Sequence, residues 1–280
     1  MRAGHCPRRD GSPAVARFCG ILQIVDTHPV TAEAWTGGPG IDPVAQPLSA
    51  ALHVWRIDLD RVPGPAGDAD LPEVERTRAA RFLHEADRRR YVASRRALRA
   101  VLGRVLQRDP ATLRFVIDSF GKPQLCDAAS LEFNLSHSAG DCLVAVGEGH
   151  PVGVDIEVLK PVPDAAALAR RHFTAAEQAE LARLAGDERR RAFLVCWTRK
   201  EACLKALGVG LSAAPASFEV GCSPDARPIG FALPGGSCTV GLASLALGGH
   251  CVGAVARVNR AHAALAREHF APAGSVRQPG

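Results

Sequence analysis

The chain has 280 residues, of which 47% are hydrophobic and 22% charged, and its net charge is +5. This composition is typical of an ordinary soluble globular protein and excludes a disordered or fibrous one. No stretch approaches the roughly 20 apolar residues of a membrane-spanning helix. A short apolar run at 18–25 follows basic residues but lacks a small-residue cleavage site, so we do not predict a signal peptide.

Residues 1 to about 50 are rich in proline and glycine and show no regular period, which indicates a loosely ordered N-terminal extension. A strand is then predicted at 52–59 and a long helical region at about 73–107. Eleven arginines lie between Arg76 and Arg108, against only two acidic residues. This local basicity suits phosphates or an acidic protein surface, and it suits a solvated arginine-rich helix equally well.

Short elements follow the long helix. Three apolar strands separated by turn residues are predicted at 113–118, 131–136 and 142–146. A further strand and three helices are predicted at 152–159, 164–172, 174–184 and 188–207. Strands then dominate up to residue 258, and a terminal helix fits 261–270. Because the order strand, helix, several strands occurs twice, the pattern favours a duplicated α+β unit, although no residue-level repeat is visible.

Nine cysteines are scattered along the chain without a Cys-x-x-Cys pair. An odd and dispersed set argues against a disulfide framework or a zinc site. Free cysteines among apolar neighbours act as small hydrophobic residues, which fits a reducing compartment. We therefore predict free thiols and a cytoplasmic protein.

Two acidic residues alternate with apolar ones in the strand predicted at 152–159. Because strand side chains alternate between faces, Asp155 and Glu157 project side by side, opposite the valines and the isoleucine. Adjacent carboxylates repel each other unless a cation or a basic group neutralises them, and their oxygens suit Mg²⁺. A half-buried strand with an acidic solvent face explains the same alternation.

A step of four residues repeats along the helix predicted at 188–207, through Phe193, Trp197, Glu201 and Lys205. Residues four apart share one helical face, so two aromatics, a carboxylate and an ammonium line up in order. A surface Glu–Lys pair is the plain alternative, but the aromatics favour burial and lysine is scarce in this chain. A buried carboxylate near a metal is a candidate general base or ligand.

A Ser-His pair ends the strand predicted at 131–136, and Ser136 and His137 there could bind an anion. A serine hydrolase fits poorly, because no Gly-x-Ser-x-Gly motif is present and neighbouring strand residues point to opposite faces. Just upstream, Lys122 lies on a Gly-Lys-Pro turn, where simple solvent exposure is the ordinary interpretation.

Four motifs, taken in order, resemble the 4'-phosphopantetheinyl transferase superfamily, specifically its larger surfactin-synthetase-activating (Sfp) type. They are Gly-Lys-Pro at 121–123, Phe-Asn-Leu-Ser-His-Ser at 133–138, Gly-Val-Asp-Ile-Glu at 153–157 and Trp-Thr-Arg-Lys-Glu-Ala-Cys-Leu-Lys-Ala at 197–206. The resemblance covers roughly residues 50 to 257. The sequence departs from the family in its long N-terminal extension and in Glu75, where some relatives carry a basic residue.

The resemblance implies a role for individual residues. Asp155, Glu157 and Glu201 match the acidic residues that gather around Mg²⁺ and the coenzyme A diphosphate. Glu201 also matches the base for the carrier serine, and Lys205 matches a lysine that contacts the phosphates. The remaining coenzyme A-binding positions are matched by Lys122, Ser136, His137, Arg95 and Arg78.

The implied fold is α+β with two pseudo-symmetric halves, each a small antiparallel sheet packed with a long helix, and coenzyme A lies in the cleft between them. The corresponding division has an N-terminal extension, a first half with coenzyme A phosphate contacts, a second half with Mg²⁺ and catalytic residues, and a C-terminal tail: 1–50, 51–151, 152–258 and 259–280. Since one chain supplies both halves, we expect a monomer.

The implied reaction moves the 4'-phosphopantetheine group of coenzyme A to a serine of an apo acyl or peptidyl carrier protein and releases adenosine 3',5'-bisphosphate. The alternative is a catalytically idle protein of this fold that binds coenzyme A or carrier proteins. Nucleic-acid binding is not expected, because the arginine-rich region contains no interleaved aromatics or known recognition module.

Overall fold

The computed structural model describes residues 39–118, 121–128, 130–210, 213–233 and 236–270. Within them the chain forms two four-stranded antiparallel sheets, each packed against one long helix. The predicted α+β class with two similar halves is therefore confirmed. No helix among the described residues is both long and apolar enough to cross a membrane.

The first half contains one of these sheets, a small hairpin and two helices. Its elements are β1 (Ile41–Val44), β2 (Leu52–Asp58), α1 (Glu73–Ala79), α2 (Glu85–Leu106), β3 (Phe115–Ile117), β4 (Pro123–Leu125), β5 (Leu131–Ser138) and β6 (Asp141–Glu148). The sheet has the order β1-β2-β6-β5, and β3 pairs with β4. Helix α2 covers one face of the sheet, and Trp55, Leu98 and Phe133 lie in the core between them.

The second half contains the other sheet and four helices. Its elements are β7 (Val152–Val158), α3 (Ala165–His172), α4 (Ala175–Ala182), α5 (Gly186–Leu207), β8 (Ala226–Leu233), β9 (Gly236–Leu245), β10 (Cys251–Val258) and α6 (Arg260–His269). The sheet has the order β7-β10-β9-β8. Helix α5 covers one face, with Phe193, Leu204 and Val240 in the core.

The two sheets share a third hydrophobic core, which lies on the faces that α2 and α5 leave open. The first sheet contributes Leu52, Val54, Leu143 and Ala145, and the second contributes Val152, Val154, Ile156, Ala243, Leu245, Leu247, Cys251 and Val255. The apolar residues of β7 thus point into this shared core. The alternation predicted for the strand is confirmed, and it turns Asp155 and Glu157 to the other face.

The helical region predicted at 73–107 is helical over most of its length, but the structure divides it into α1 and α2. Between the two helices the chain turns, so that Phe82 packs on Tyr91 with 5.2 Å between ring centroids. Glu85 and Asp87 then lie in the first turn of α2, where they complement the positive end of the helix dipole. The acidic pair inside the arginine-rich stretch marks a new helix start.

The extension predicted for residues 1–50 is wrong near its end. Ile41–Val44 form β1, pair with β2 and bury the side chain of Ile41. Pro43 is compatible with this strand because β1 lies at the edge of its sheet. Residues 1–38 lie outside the described part of the chain.

Seven cysteines lie in the described residues, and all seven are free thiols. Six of them are buried. Burial raises the pKa of Cys142 and of Cys203 to about 12, which keeps both thiols protonated and unreactive at neutral pH. Within this part of the chain the cysteines act as the small hydrophobic residues that the sequence predicts.

Candidate active site at the seam between the two sheets

The candidate site lies where β5 and β7, each at the edge of its own sheet, run side by side. Among the described residues no backbone ladder joins these two strands. Polar side chains of β5 take its place: Asn134 Oδ1 accepts a hydrogen bond from the Val154 N–H at 2.9 Å. Residue numbers rise together along both strands, so β5 and β7 run in the same direction across the seam.

Asp155 is the meeting point of three elements. Its Oδ1 accepts a hydrogen bond from Ser136 Oγ on β5 at 2.7 Å and contacts Lys205 Nζ on α5 at 2.6 Å. The carboxylate is only 5% exposed, and its other oxygen, Oδ2, is buried without a hydrogen-bond partner in the described residues. A buried carboxylate oxygen left in this way is energetically costly, so Oδ2 is a ready position for a ligand.

Glu157 lies two residues further along β7, on the same face. Its Oε2 accepts a hydrogen bond from Ser138 Oγ at 2.7 Å. Ser136 and Ser138 on β5 therefore face Asp155 and Glu157 on β7, pair by pair. The two carboxylates project side by side, as the strand alternation predicts.

Glu201 approaches the same region from α5. Burial raises the pKa of Glu201, the negative charge of Asp155 raises it further, Lys205 opposes the effect, and Glu157 adds a smaller increase. The two carboxylates of β7 and the carboxylate of α5 therefore act on one another electrostatically. Strand β7 and the distant helix α5 thus bring these carboxylates into one region, and their joint binding of a metal ion stays a prediction.

Close packing at Gly153 allows this approach. A Cβ atom at Gly153 would lie 2.1 Å from the carbonyl oxygen of Ala202 and 2.3 Å from the amide nitrogen of Ala206. Only a residue without a side chain lets α5 lie so close to β7. Glu201 and Lys205, which flank this contact along the helix, are thereby held against the carboxylates of β7.

The three carboxylates are nevertheless not gathered as tightly as metal ligands. Among the described residues, the group of three whose ligand atoms all lie within 4.8 Å of one another is instead Asp141, His250 and Cys251. The guanidinium of Arg56 bonds to Asp141 Oδ1 at 2.9 Å and lies 2.8 Å from His250 Nε2. Because the guanidinium of Arg56 already lies among these three residues, we interpret them as part of an ion-pair network and not as a metal site.

The residues at the seam do fit a hard divalent cation. Asp155 Oδ2 is an unpaired buried oxygen, and Glu157 and Glu201 add further carboxylates from two elements. Mg²⁺ prefers such oxygen ligands and keeps several waters or substrate phosphates in its remaining positions, so it does not require a complete protein cage.

Lys122 lies inside the protein, so the solvent-exposed interpretation of its turn is wrong. Its Nζ donates hydrogen bonds to the carbonyl oxygens of Val152 at 3.1 Å and of Lys205 at 3.2 Å. These carbonyls belong to the start of β7 and the last turn of α5. The ammonium thus ties both elements to the first half, and its predicted contact with coenzyme A stays a prediction.

Positive side chains line the first-half side of the seam. The guanidinium carbons of Arg78 and Arg95 lie 5.7 and 5.5 Å from the centroid of the Tyr91 ring, and Arg95 Nε is buried with no hydrogen-bond partner in the described part of the chain. The pKa of His137 is lowered by partial burial and then by Arg95, Lys205 and Arg78. Such a concentration of positive charge suits a phosphate group.

Ser136 and His137 diverge as neighbouring strand residues should. Ser136 is buried against Asp155, whereas His137 lies on the other side of β5, where it is partly open to solvent. Sequence reasoning missed Asn134, Ser138 and Gly153. The alternation Asn-x-Ser-x-Ser along β5 is the signal that could have found the first two, because it indicates one continuous polar face on an otherwise apolar strand.

Comparison with known families gives consistent matches. The sequence profile of the 4'-phosphopantetheinyl transferase superfamily matches residues 151–253. The profile of the N-terminal part of 4'-phosphopantetheinyl transferase matches residues 68–150. The two profiles meet where β7 begins.

Individual relatives carry the same description. The chain is 40% identical over 170 residues to 4'-phosphopantetheinyl transferase HetI of Nostoc sp., a match that covers 59% of this chain and 72% of HetI. It is 34% identical over 146 residues to 4'-phosphopantetheinyl transferase Sfp of Bacillus subtilis, covering 52% of this chain and 64% of Sfp. A further 4'-phosphopantetheinyl transferase of Bacillus subtilis is 30% identical over 190 residues, covering 66% of this chain and 83% of the relative.

Proposed function

The chain belongs to the 4'-phosphopantetheinyl transferase superfamily, and from that membership we propose how its own residues carry out the transfer. The 4'-phosphopantetheine group of coenzyme A moves to a serine hydroxyl of an apo acyl or peptidyl carrier protein. The serine oxygen forms a new bond to the phosphorus next to pantetheine, the diphosphate P–O bond breaks, and adenosine 3',5'-bisphosphate leaves.

The observation that supports this mechanism best is the meeting of Asp155, Glu201 and Lys205 at the seam. Asp155, Glu157 and Glu201 would hold Mg²⁺ there, and the unpaired Oδ2 of Asp155 supports this assignment. When bound, such an ion neutralises negative charge on the diphosphate oxygens.

Glu201 is the proposed general base. Its raised pKa keeps the carboxylate basic enough to accept the proton of the carrier serine as the new bond forms. Lys205 is already held at the site by Asp155 Oδ1, and its ammonium stabilises the charge that develops on the departing phosphate. Positioning and electrostatic stabilisation supply most of the catalysis in phosphoryl transfer, so no Ser-His-Asp relay is needed.

We place the 3'-phosphate end of coenzyme A on the first half. His137 faces this end, with the guanidinium groups of Arg78 and Arg95 beside it. Ser136 bonds to Asp155 on the other side of β5, and its hydroxyl can exchange partners when the substrate binds. Lys122 holds the start of β7 and the last turn of α5 through their carbonyl oxygens, and we retain it as a proposed coenzyme A-binding residue.

The test is transfer to a panel of apo polyketide, non-ribosomal peptide and fatty-acid carrier proteins, incubated with coenzyme A and Mg²⁺ and followed by intact-protein mass spectrometry. We expect wild-type enzyme to add the 4'-phosphopantetheine mass to at least one carrier. Glu201→Gln and Asp155→Ala should each slow this by about 100-fold or more, the range for lost acid–base and metal groups. Glu148→Gln, an exposed acid at the end of β6, is the matched control and should keep the wild-type rate.

Two results would overturn parts of this proposal. Wild-type rates in both site variants would remove the assigned roles while leaving the family intact. Coenzyme A binding without transfer to any carrier would favour the idle binding protein. We also propose that the enzyme is cytoplasmic and monomeric. The monomer is supported because one chain supplies both sides of the seam, and light scattering after gel filtration measures the oligomeric state.

A further inference from the structure

The strand β5 contributes three polar side chains to the seam, each two residues apart. Asn134, Ser136 and Ser138 are all buried, and each one contacts β7. Asn134 bonds to the β7 backbone and Ser136 bonds to Asp155, a residue that the mechanism already uses. Ser138 bonds to Glu157, and the mechanism above gives Ser138 no role.

The geometry fixes the direction of the Ser138 hydroxyl. Its oxygen accepts a hydrogen bond from the Val158 N–H at 3.2 Å and donates to Glu157 Oε2 at 2.7 Å. Because the backbone N–H occupies a lone pair of the hydroxyl oxygen, the hydroxyl proton is directed at the carboxylate. The side chain is 7% exposed, so water competes little for this bond.

The two carboxylates of β7 are compensated differently. Asp155 has the ammonium of Lys205 at 2.6 Å, whereas no ion pair of the described residues includes Glu157. Glu157 lies two residues from a second carboxylate and close to Glu201, so its charge is repelled from both directions. The Ser138 hydroxyl is therefore the group that restrains a carboxylate which would otherwise turn away from its like-charged neighbours.

We propose that Ser138 is a positioning residue that orients Glu157 for a divalent cation. It acts from the first half of the chain on a ligand carried by the second half. The inference rests on the proposed function, because it gives Glu157 the role of a metal ligand. Hydrogen-bond partners behind metal ligands of this kind change metal affinity by about 10- to 100-fold when they are removed.

The first experiment measures Mn²⁺ binding to the full chain without coenzyme A, by electron paramagnetic resonance. Ser138→Ala should weaken Mn²⁺ binding by about tenfold, and Ser138→Thr, which keeps the hydroxyl, should restore most of it. Ser94→Ala is the matched control, since Ser94 is a buried serine whose hydroxyl bonds only to the Tyr91 carbonyl in the described contacts. If Ser138→Ala does not fold by circular dichroism, Ser138→Cys replaces it, with a thiol of similar size and weaker donor strength.

The second experiment separates positioning from a general loss of structure. In transfer assays, Ser138→Ala should raise the Mg²⁺ concentration needed for half-maximal rate, while the dissociation constant for coenzyme A measured in EDTA stays unchanged. In a Glu157→Gln background, Ser138→Ala should cause no further loss of Mn²⁺ affinity, because the carboxylate that it orients is gone.

The failures of the two proposals can be told apart. Wild-type Mn²⁺ affinity in Ser138→Ala, or an equal loss with and without Glu157, overturns the role of Ser138 while leaving the transferase mechanism in place. A wild-type enzyme that transfers equally well in EDTA overturns the metal site itself, whatever Ser138 does.

Discussion

Two lysines lie inside the protein, and their surroundings differ. Lys200 pairs with the buried carboxylate of Glu177 at 2.8 Å. Among the described residues, the Nζ of Lys122 bonds only to carbonyl oxygens and forms no ion pair. Lys200 belongs to the motif at 197–206 yet faces the core of its own half, so membership in a motif does not place a side chain at the site.

The free energy of unfolding should vary with pH in a way that reflects the protonation of Lys122. Its pKa is lowered from 10.5 to about 8, mainly by burial; Glu132 opposes this effect, Arg267 adds to it, and Asp118 opposes it slightly. Between about pH 8 and 10.5 the unfolded chain therefore binds a proton that the folded chain does not, so the free energy of unfolding rises with pH. The upper limit is about 1.4 kcal/mol per pH unit.

The measurement compares urea unfolding of the wild type and of Lys122→Met at pH 7.5, 8.5 and 9.5. The free energy of unfolding of the wild type should increase relative to that of the variant across this range. Buried cysteines titrate in both proteins, so their effect cancels in the difference. Parallel curves would show that the ammonium is not desolvated in the way the geometry indicates.

The sequence predicts site residues from their chemical type and spacing. These predictions are reliable where the backbone alone decides in which direction a side chain points. Strand alternation was enough to place Asp155 beside Glu157. It could not reveal that Lys122 turns inward, because the carbonyls it binds come from β7 and α5, which lie 30 and 83 residues away along the chain. The polar alternation along β5 marks Ser138 in the sequence, but its partner Glu157 becomes visible only once the sheets meet.

At the scale of elements, the contact between α5 and β7 depends on Gly153. Gly153→Ala should force the helix away from the strand, because the new methyl group would overlap backbone atoms that cannot rotate aside. We expect a loss of about 3 kcal/mol in the free energy of unfolding. The transfer rate per folded molecule should fall as well, since Glu201 and Lys205 move with the helix.

Gly230→Ala provides the matched control for this prediction. Gly230 also lies within a strand, β8, and a Cβ atom there would meet no atom of the described residues within 4 Å. Its effect on thermal stability and on transfer should therefore be small. Equal effects of the two substitutions would mean that strand flexibility, and not the spacing between helix and strand, is what Gly153 provides.

The bounds of the helices and strands show which elements can be predicted from the local sequence pattern. Helix α5 and strand β7 begin and end within a few residues of their predicted bounds, because a regular apolar period runs through each. The break between α1 and α2 was missed, because helical residues continue through it and the turn depends on Phe82 meeting Tyr91. Strand β1 was missed because a four-residue edge strand containing a proline has too little pattern of its own.

For the whole molecule, the shared core predicts that both halves unfold together. Leu143 of β6 is fully buried in that core, between residues of the two sheets. Leu143→Ala should lower the free energy of unfolding by about 2 to 5 kcal/mol. It should do so for both halves at once, since the cavity opens in packing that they hold in common.

Pulse labelling of cysteines at increasing urea concentrations checks this prediction. Cys142 reports on the first half and Cys238 on the second, and both are fully buried. Mass spectrometry should find a single midpoint for the two thiols in the wild type and again, at lower urea, in Leu143→Ala. Two separate midpoints would mean that the halves are independent folding units.

The connection between β6 and β7 has a consequence for how the seam assembles. Only residues 149–151 separate Glu148 from Val152. Because this connection is short, the unpaired edge of β7 stays near the unpaired edge of β5 at a high effective concentration. The two edges therefore associate within one molecule before either can pair with a second chain. The enzyme can thus carry two unprotected strand borders, which in separate polypeptides would invite polymerisation.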